Sequence, residues 1–316
     1  TAGDGIRLRG RDWAPAGGGE WAAVALMHGM GEHSGRFADW ARALASRGVA
    51  VTCLDQRGHG HSEGPRGHSP GYGWLMESVE GTLREAASRH PGVPLFLMGH
   101  SMGGNLALNY GLGWRAGVED PGVARRVPSG GAGAERPQRD SAERDSVGRE
   151  PADMDPLPEV AGLIVSAPWL ELAFKPNPVQ VALARVVRGV FPRFTQSTNL
   201  DVEAISRDPE QVRAYVLDPL IHDRITASMF FDVHAQGEWA LRHAVELAVP
   251  TFLYHGDADR LTSFEASRRF SASAGDNVRF TRIEGGFHET HHELEPVRNR
   301  LLCDLSAWMK QRVEQV

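Results

Sequence analysis

Six short apolar runs, separated by stretches long enough for a crossover, limit the architecture of this chain more than any other feature. They are "AAVALMHG" (22–29), "VAVTCLDQ" (49–56), "PLFLMGHS" (94–101), "GLIVSAPW" (162–169), "PTFLYHG" (250–256) and "VRFTRIEG" (278–285). Each is apolar on successive residues rather than alternate ones, the pattern of strands buried on both faces of a parallel sheet. Helical periodicity lies between many of them. In "WLMESVEGTLREAASRH", Met76, Val79, Leu83 and Ala86 recur at three- and four-residue steps, and the segment stops at His90 before Pro91 and Gly92. This alternation predicts an α/β fold with a doubly wound, mostly parallel sheet. Binding and chemistry then collect at the carboxyl ends of the strands.

Two segments interrupt the alternation. Residues 119–158 are dense in Gly, Pro, Ser and both signs of charge, and read as a disordered surface insertion. Residues 170–235 are apolar and helix-like, with Val181, Leu183, Val186, Val187 and Val190 in one stretch, and suit a small helical cap that also packs onto the sheet. The expected organisation is a core in two parts, 1–169 and 236–316, with the cap of 170–235 between them. Within the cap, "LDPLI" suggests Asp218 as a helix N-cap with Pro219 at the first helical position, a structural rather than catalytic role.

Composition removes several classes of function. Lys and Arg total 34 against 40 for Asp and Glu, so a net charge of −6 offers no basic field for nucleic acid. No apolar run is long enough to span a bilayer, and the opening "TAGDGIRLRG" has no signal-peptide pattern, which favours a cytoplasmic location. The chain begins with Thr rather than Met, which leaves room for a leader or native residues ahead of it. Cys53 and Cys303 are expected as buried free thiols. There is no internal repeat and no Gly-rich phosphate loop.

"LFLMGHSMGGNLALNYGL" carries the chemistry. It reads as a strand, then Gly99-His100-Ser101-Met102-Gly103, then a helix. With 36 glycines in the chain the bare G-x-S-x-G pattern is weak, but its strand–turn–helix setting is that of a serine nucleophile. A sharp turn lifts Ser101 above the sheet, and a side chain at Gly99 or Gly103 would clash across it. The Met102 amide at the helix start can then point at a developing oxyanion.

With these pieces in place the chain resembles the monoacylglycerol lipase and lysophospholipase group of the α/β-hydrolase family. The matching segments are "HGMGEHSGRF" (28–37), "DQRGHGHSEG" (55–64), "GHSMGG" (99–104), "DPLI" (218–221), "HGDADRLT" (255–262) and "GGFHETHHELE" (285–295). Departures are the insertion and a first strand that is shortened or absent. The resemblance implies an ester hydrolase that works through an acyl-serine without a cofactor. Its expected substrates are single-chain acyl esters, with transient contact at a membrane or micelle surface. Acyl transfer by the same serine, or a non-catalytic ligand-binding protein on the same fold, are the alternatives.

Chain order in such a hydrolase is Ser, then Asp or Glu, then His. His288, on a loop after the last strand, is the expected base. Asp259 is favoured as the acid by resemblance to the x-G-x-x-D pattern, with Asp257 as runner-up or as a loop-holding residue. The Met30 amide in "HGMG" is the expected second oxyanion donor, and His28 the expected structural histidine beneath it. Leu170, Leu172 and Phe174, with the helix of 181–190, are expected along the acyl chain. Glu32, Arg36 and Glu171 are available to a headgroup, although exposed charge is the simpler reading of each.

Two metal readings compete. "HETHH" contains H-E-x-x-H at His288, Glu289 and His292, which would clamp zinc if it lay within a helix. It follows a strand and two glycines, so a loop is expected, with His291 and His292 at the surface or a helix start and Glu293 and Pro296 in a helix's first turn. His59 and His61 are spaced like metal ligands, but the Gly-rich setting suggests solvated turn residues.

Overall fold

The computed structural model describes residues 5–114 and 156–315. All but the last three residues of the expected 119–158 insertion lie outside the described residues. In chain order the core begins with β1 (Gly10–Trp13), β2 (Ala22–Met27), α1 (Ala38–Ala45) and β3 (Val49–Leu54). It continues with α2 (Tyr72–Arg89), β4 (Leu95–His100), α3 (Met102–Gly111) and β5 (Gly162–Ser166). The cap carries α4 (Pro178–Val190), β6 (Thr195–Ser197), α5 (Pro209–Leu217) and β7 (Arg224–Thr226). Then follow α6 (Ala227–His243), β8 (Thr251–Gly256), α7 (Phe264–Ala274), β9 (Val278–Ile283) and α8 (Glu295–Val313).

All six apolar runs are strands of one seven-stranded sheet, ordered β1-β3-β2-β4-β5-β8-β9. Those six pair in parallel, and β1 joins the edge antiparallel to β3. The first strand is thus present but only four residues long. β2, β4, β5 and β8 are buried at every residue, which is why they read as continuous rather than alternating runs. Helices cover both faces. On one face Trp40, Leu44, Leu301, Leu305 and Trp308 pack against Val24, Met98 and Phe252. On the other, Leu83, Leu106 and Val233 pack against Ala25, Leu97 and Val165.

The cap differs from expectation in three ways. Val179, Leu183, Val186 and Val190 of α4 are each more than 60% exposed, and no residue of that helix is buried, so it does not pack on the sheet. Asn177 caps α4 by accepting from the Val179 amide, and Pro178 starts it. Second, β6 and β7 form a small antiparallel sheet that their polar sequences did not signal. Third, α6 runs unbroken through residue 235 and buries Met229, Val233 and Ala240, so the chain returns to the core near 227.

Asp218 is not an N-cap. It lies at the carboxyl end of α5, where its Oδ1 accepts from the Leu220 amide (2.9 Å) and its Oδ2 bonds His33 Nε2 (2.9 Å). Cys53 is buried and Cys303 exposed, both free; Cys303 falls on the outer face of α8, away from Leu301, Leu302 and Leu305. Among the described residues no helix is long and apolar enough to cross a membrane.

Candidate active site

Ser101 sits between β4 and α3 with φ 54° and ψ −114°, a region that costs a side-chain-bearing residue about 1–2 kcal/mol. The surroundings hold it there. Its amide donates to the Ser166 carbonyl (2.9 Å), and its own carbonyl accepts from the amides of Asn105 (3.0 Å) and Trp169 (2.9 Å). A Cβ at Gly99 would collide with the Gly103 carbonyl, and one at Gly103 with the Met27 carbonyl, so both glycines are required by close backbone approach. Neither the Met102 nor the Met30 amide makes a hydrogen bond among the described residues, and Met30 lines the same cavity as Ser101.

His288 follows β9 on a loop and reaches the same cavity. Its Nδ1 bonds Asp259 Oδ2 at 2.7 Å, which leaves Nε2 as the ring nitrogen available to Ser101. No Ser101–His288 hydrogen bond occurs among the described residues, although both side chains line the same cavity. Asp259 is fixed by the amides of Leu261 (2.7 Å) and Thr262 (3.1 Å) on Oδ1. Burial works against its charge, but His288 and His255 outweigh burial and hold it below the usual carboxylate range. For His288 the same competition runs the other way: burial pulls it down, and Asp259 lifts it above an ordinary imidazole. Asp257 turns away, binding Arg282 Nε (2.6 Å) and the Gly285 amide (2.6 Å), the loop-holding role.

The loop that carries His288 is tied to the cap. The His288 amide donates to the Ala204 carbonyl (3.3 Å) and the Glu289 amide to that of Ile205 (2.7 Å). Ser206 Oγ donates to the His292 carbonyl (2.7 Å), and Arg207 Nε to Glu293 Oε2 (2.8 Å).

H-E-x-x-H does not form a zinc helix. His292 lies in a 3-10 turn, Thr290–His292, facing away from the Asp259–His288 pair. Its Nε2 donates to the Arg36 carbonyl (2.7 Å) and its Nδ1 bonds Glu289 Oε2 (2.6 Å). Ligand atoms of Glu289, His291 and His292 lie within 4.8 Å of one another. Arg36 Nη2, however, already binds Glu289 Oε2 (2.7 Å) and lies 3.1 Å from His292 Nδ1, so a guanidinium fills the cation position.

Several expectations about exposure are corrected. His291 and His292 are buried, because the loop folds back onto the turn of residues 34–37; the His291 ring stacks on Phe37 at 4.5 Å. Glu293 is also buried and precedes α8, whose first turn holds Pro296. His59 is buried between the rings of His28 (5.2 Å) and His222 (4.8 Å), whereas His61 is exposed. His28 takes the structural role expected, bonding the Gly29 carbonyl and the Gln56 amide, and burial lowers it to about 4. Glu32 and Arg36 are buried, and Glu171 pairs with Arg269 (2.6 Å) outside. Glu32 Oε1 accepts from the Gly29 amide (2.5 Å), and its Oε2 has no partner. Burial, with the charge of Glu289, raises the Glu32 carboxyl to about 8.

The cavity encloses about 570 Å³. Leu172 and Phe174 line it, as do Val181, Leu183 and Val187 of α4, but Leu170 does not: its side chain is fully buried in the core. Trp169, Phe230 and Tyr215 also line it and carried no recognisable signal in the sequence, and Glu289, marked there only by the H-E-x-x-H pattern, lines it too.

The family model for serine aminopeptidase S33 hydrolases matches residues 20–126 and 152–295. The chain belongs to this family. Relatives within it include a monoacylglycerol lipase of Mycolicibacterium smegmatis, 30% identical over 90% of this chain and 87% of its own length. An uncharacterized abhydrolase domain-containing protein of Dictyostelium discoideum is 30% identical over 93% of this chain, which spans only 27% of that protein. The crystal structure of Paleococcus ferrophilus monoacylglycerol lipase superposes with a TM-score of 0.74 at 26% identity, covering 97% of this chain and 99% of that one. This family member is therefore an α/β-hydrolase of the monoacylglycerol lipase-like group, and a carboxylic ester hydrolase.

Proposed function

We propose that the chain hydrolyses monoacylglycerols through an acyl-serine, with Ser101 as nucleophile, His288 as base and Asp259 as its partner. The observation that carries this reading is the 2.7 Å Asp259–His288 bond beside a strained serine in a cavity with apolar walls. Ser101 Oγ attacks the ester carbonyl carbon as His288 Nε2 takes its proton. The Met30 and Met102 amides receive the oxyanion. Collapse breaks the bond to the glycerol oxygen, which takes the proton from His288. Water, deprotonated in turn by His288, then attacks the acyl carbon, and the fatty acid leaves as Ser101 Oγ is reprotonated.

The polar lining supports a neutral headgroup. Glu289 is matched by Arg36, and Glu32, raised to about 8, is uncharged at neutral pH. Neither offers a net charge to the α-ammonium of a peptide substrate, nor does Arg36 offer a free one to the phosphate of a lysophospholipid. A protonated Glu32 Oε2 can instead donate to a glycerol hydroxyl. Leu172, Phe174 and α4 would flank the acyl chain. The outward apolar face of α4, with Arg185 and Arg188 beside it, suits transient contact with a lipid surface, where such substrates reside.

The test is one panel on purified protein: monoacylglycerols, lysophospholipids, p-nitrophenyl esters and amino-acid p-nitroanilides, with and without chelator. We expect monoacylglycerol turnover that survives chelator, labelling by a fluorophosphonate, and loss of both activity and labelling in Ser101→Ala. Preferential p-nitroanilide cleavage would overturn the substrate assignment, and full activity in Ser101→Ala the mechanism. Added alcohol distinguishes acyl transfer from hydrolysis by its ester product.

A further inference from the structure

A second imidazole touches the same aspartate. His255, near the end of β8, is fully buried; its Nε2 lies 3.0 Å from Asp259 Oδ2 and its Nδ1 2.7 Å from Ser267 Oγ on α7. Oδ2 is also the oxygen bonded by His288 Nδ1. A carboxylate can only accept, so both imidazoles present N–H to it. Thr262 Oγ1 is 3.0 Å from the same oxygen, but its single proton has the Ala167 carbonyl at 3.1 Å as another acceptor. Oδ2 thus accepts from two histidines, with the Thr262 hydroxyl dividing its one proton between this oxygen and the Ala167 carbonyl.

We propose that His255 is a positioning residue for the reaction, sharing Asp259 Oδ2 with His288 and so limiting how tightly the carboxylate holds the base. This rests on the assignment of Asp259 and His288 above. Each donor draws charge from the shared oxygen, so removing one strengthens the other. His255 is faced by Asp259, by the Ser267 and Thr262 hydroxyls and by the edge of the Phe264 ring. His288 is faced by Asp259, by the His100 ring at 4.7 Å, by the charge of Glu289 and by the Glu32 carboxyl, which becomes charged only near pH 8. A buried histidine serving only to fill space would leave the base unaffected when replaced.

The readout is the pH profile of kcat/KM on a soluble ester, from about pH 5 to 9, whose acid limb reports the base. In His255→Leu that limb should move up by about half to one pH unit. In His255→Gln, whose amide can still donate to Oδ2, it should return to within about 0.2. An unmoved limb in the leucine variant, a downward shift, or an equal shift in both variants would overturn the proposal. If the leucine variant does not fold, nitrogen-15 histidine NMR on the unaltered protein decides: the His255 Nε2–H resonance should move as His288 titrates, and a stationary one refutes the coupling. Asp259→Asn is measured alongside. Full activity there removes the triad reading and this proposal together; an inactive Asp259→Asn with an unmoved His255 limb removes only this one.

Discussion

Glu32 offers a quantitative check on the electrostatics beside the serine. Its carboxyl is buried, one oxygen is bonded only to the Gly29 amide and the other has no partner, and ionisation is delayed to about 8 by burial and by Glu289. In the unfolded chain the same group ionises near 4.5. Between those values the folded state retains a proton that the unfolded state has lost, so stability falls as pH rises. The loss is about 1.4 kcal/mol per pH unit, or about 4 kcal/mol between pH 5 and 8, and it levels off above that. Glu32→Gln keeps an oxygen for the Gly29 amide and cannot ionise. Its added amide protons shift the absolute stability by a constant, but the pH-dependent part remains readable. Urea unfolding of both proteins at each pH from about 5 to 9 should show their stability difference moving in the variant's favour by a few kcal/mol as pH rises. Parallel curves, within about 0.5 kcal/mol, would mean that Glu32 ionises as an ordinary carboxyl and that its burial has been misjudged.

Other expectations follow from the same geometry. Because His288 must be neutral to act and Asp259 raises it, kcat/KM should decline on acidification with a midpoint above that of a free imidazole, about 6.5; a midpoint well below this would contradict the Asp259–His288 bond. Asp257→Asn, which disturbs only the Arg282 and Gly285 contacts, should keep most activity, to within about fivefold in kcat, whereas comparable loss to Asp259→Asn would assign the acid wrongly. Gly103→Ala should yield little folded protein, since its Cβ meets the Met27 backbone; normal expression and activity would refute the close approach. A Val186→Asp, Val190→Asp pair, on the face of α4 that does not line the cavity, should slow turnover of vesicle-borne monoacylglycerol by about tenfold while sparing a soluble ester. Equal effects on both would place those residues in the chemistry rather than at the lipid surface.

Much of the frame was legible because its signals are local. Strands buried on both faces leave unbroken apolar runs, and the turn at Ser101 needs glycines at fixed offsets, so both could be read from adjacent residues. β1, expected as shortened or absent, could not be placed because "GRDW" is a short, half-exposed edge, and β6 and β7 escaped notice because "TQS" and "RIT" pair outside the main core. Errors gathered where burial is created by distant segments. His291, His292 and Glu293 look solvated in sequence, yet the turn at 34–37, Arg36 and Arg207 enclose and pair them. Asp218 before Pro219 has the local grammar of a helix start, but its carboxylate is claimed by Leu220 and by His33, far away in the chain. Leu170 and Leu172 are two residues apart, yet the first is fully buried in the core and the second packs at its margin, where it lines the cavity.

The four bonds from residues 204–207 to the His288 loop give the cap a role beyond covering the cavity. An engineer seeking room for bulkier esters would be tempted to excise the whole 170–226 insert and keep a bare sheet with the three side chains proposed for the chemistry. That surgery would remove the abutment against which the imidazole is seated, and the trimmed enzyme would lose its chemistry along with its roof. Widening the entrance by altering α4 alone, with residues 202–207 retained, spares the abutment and enlarges the space above it.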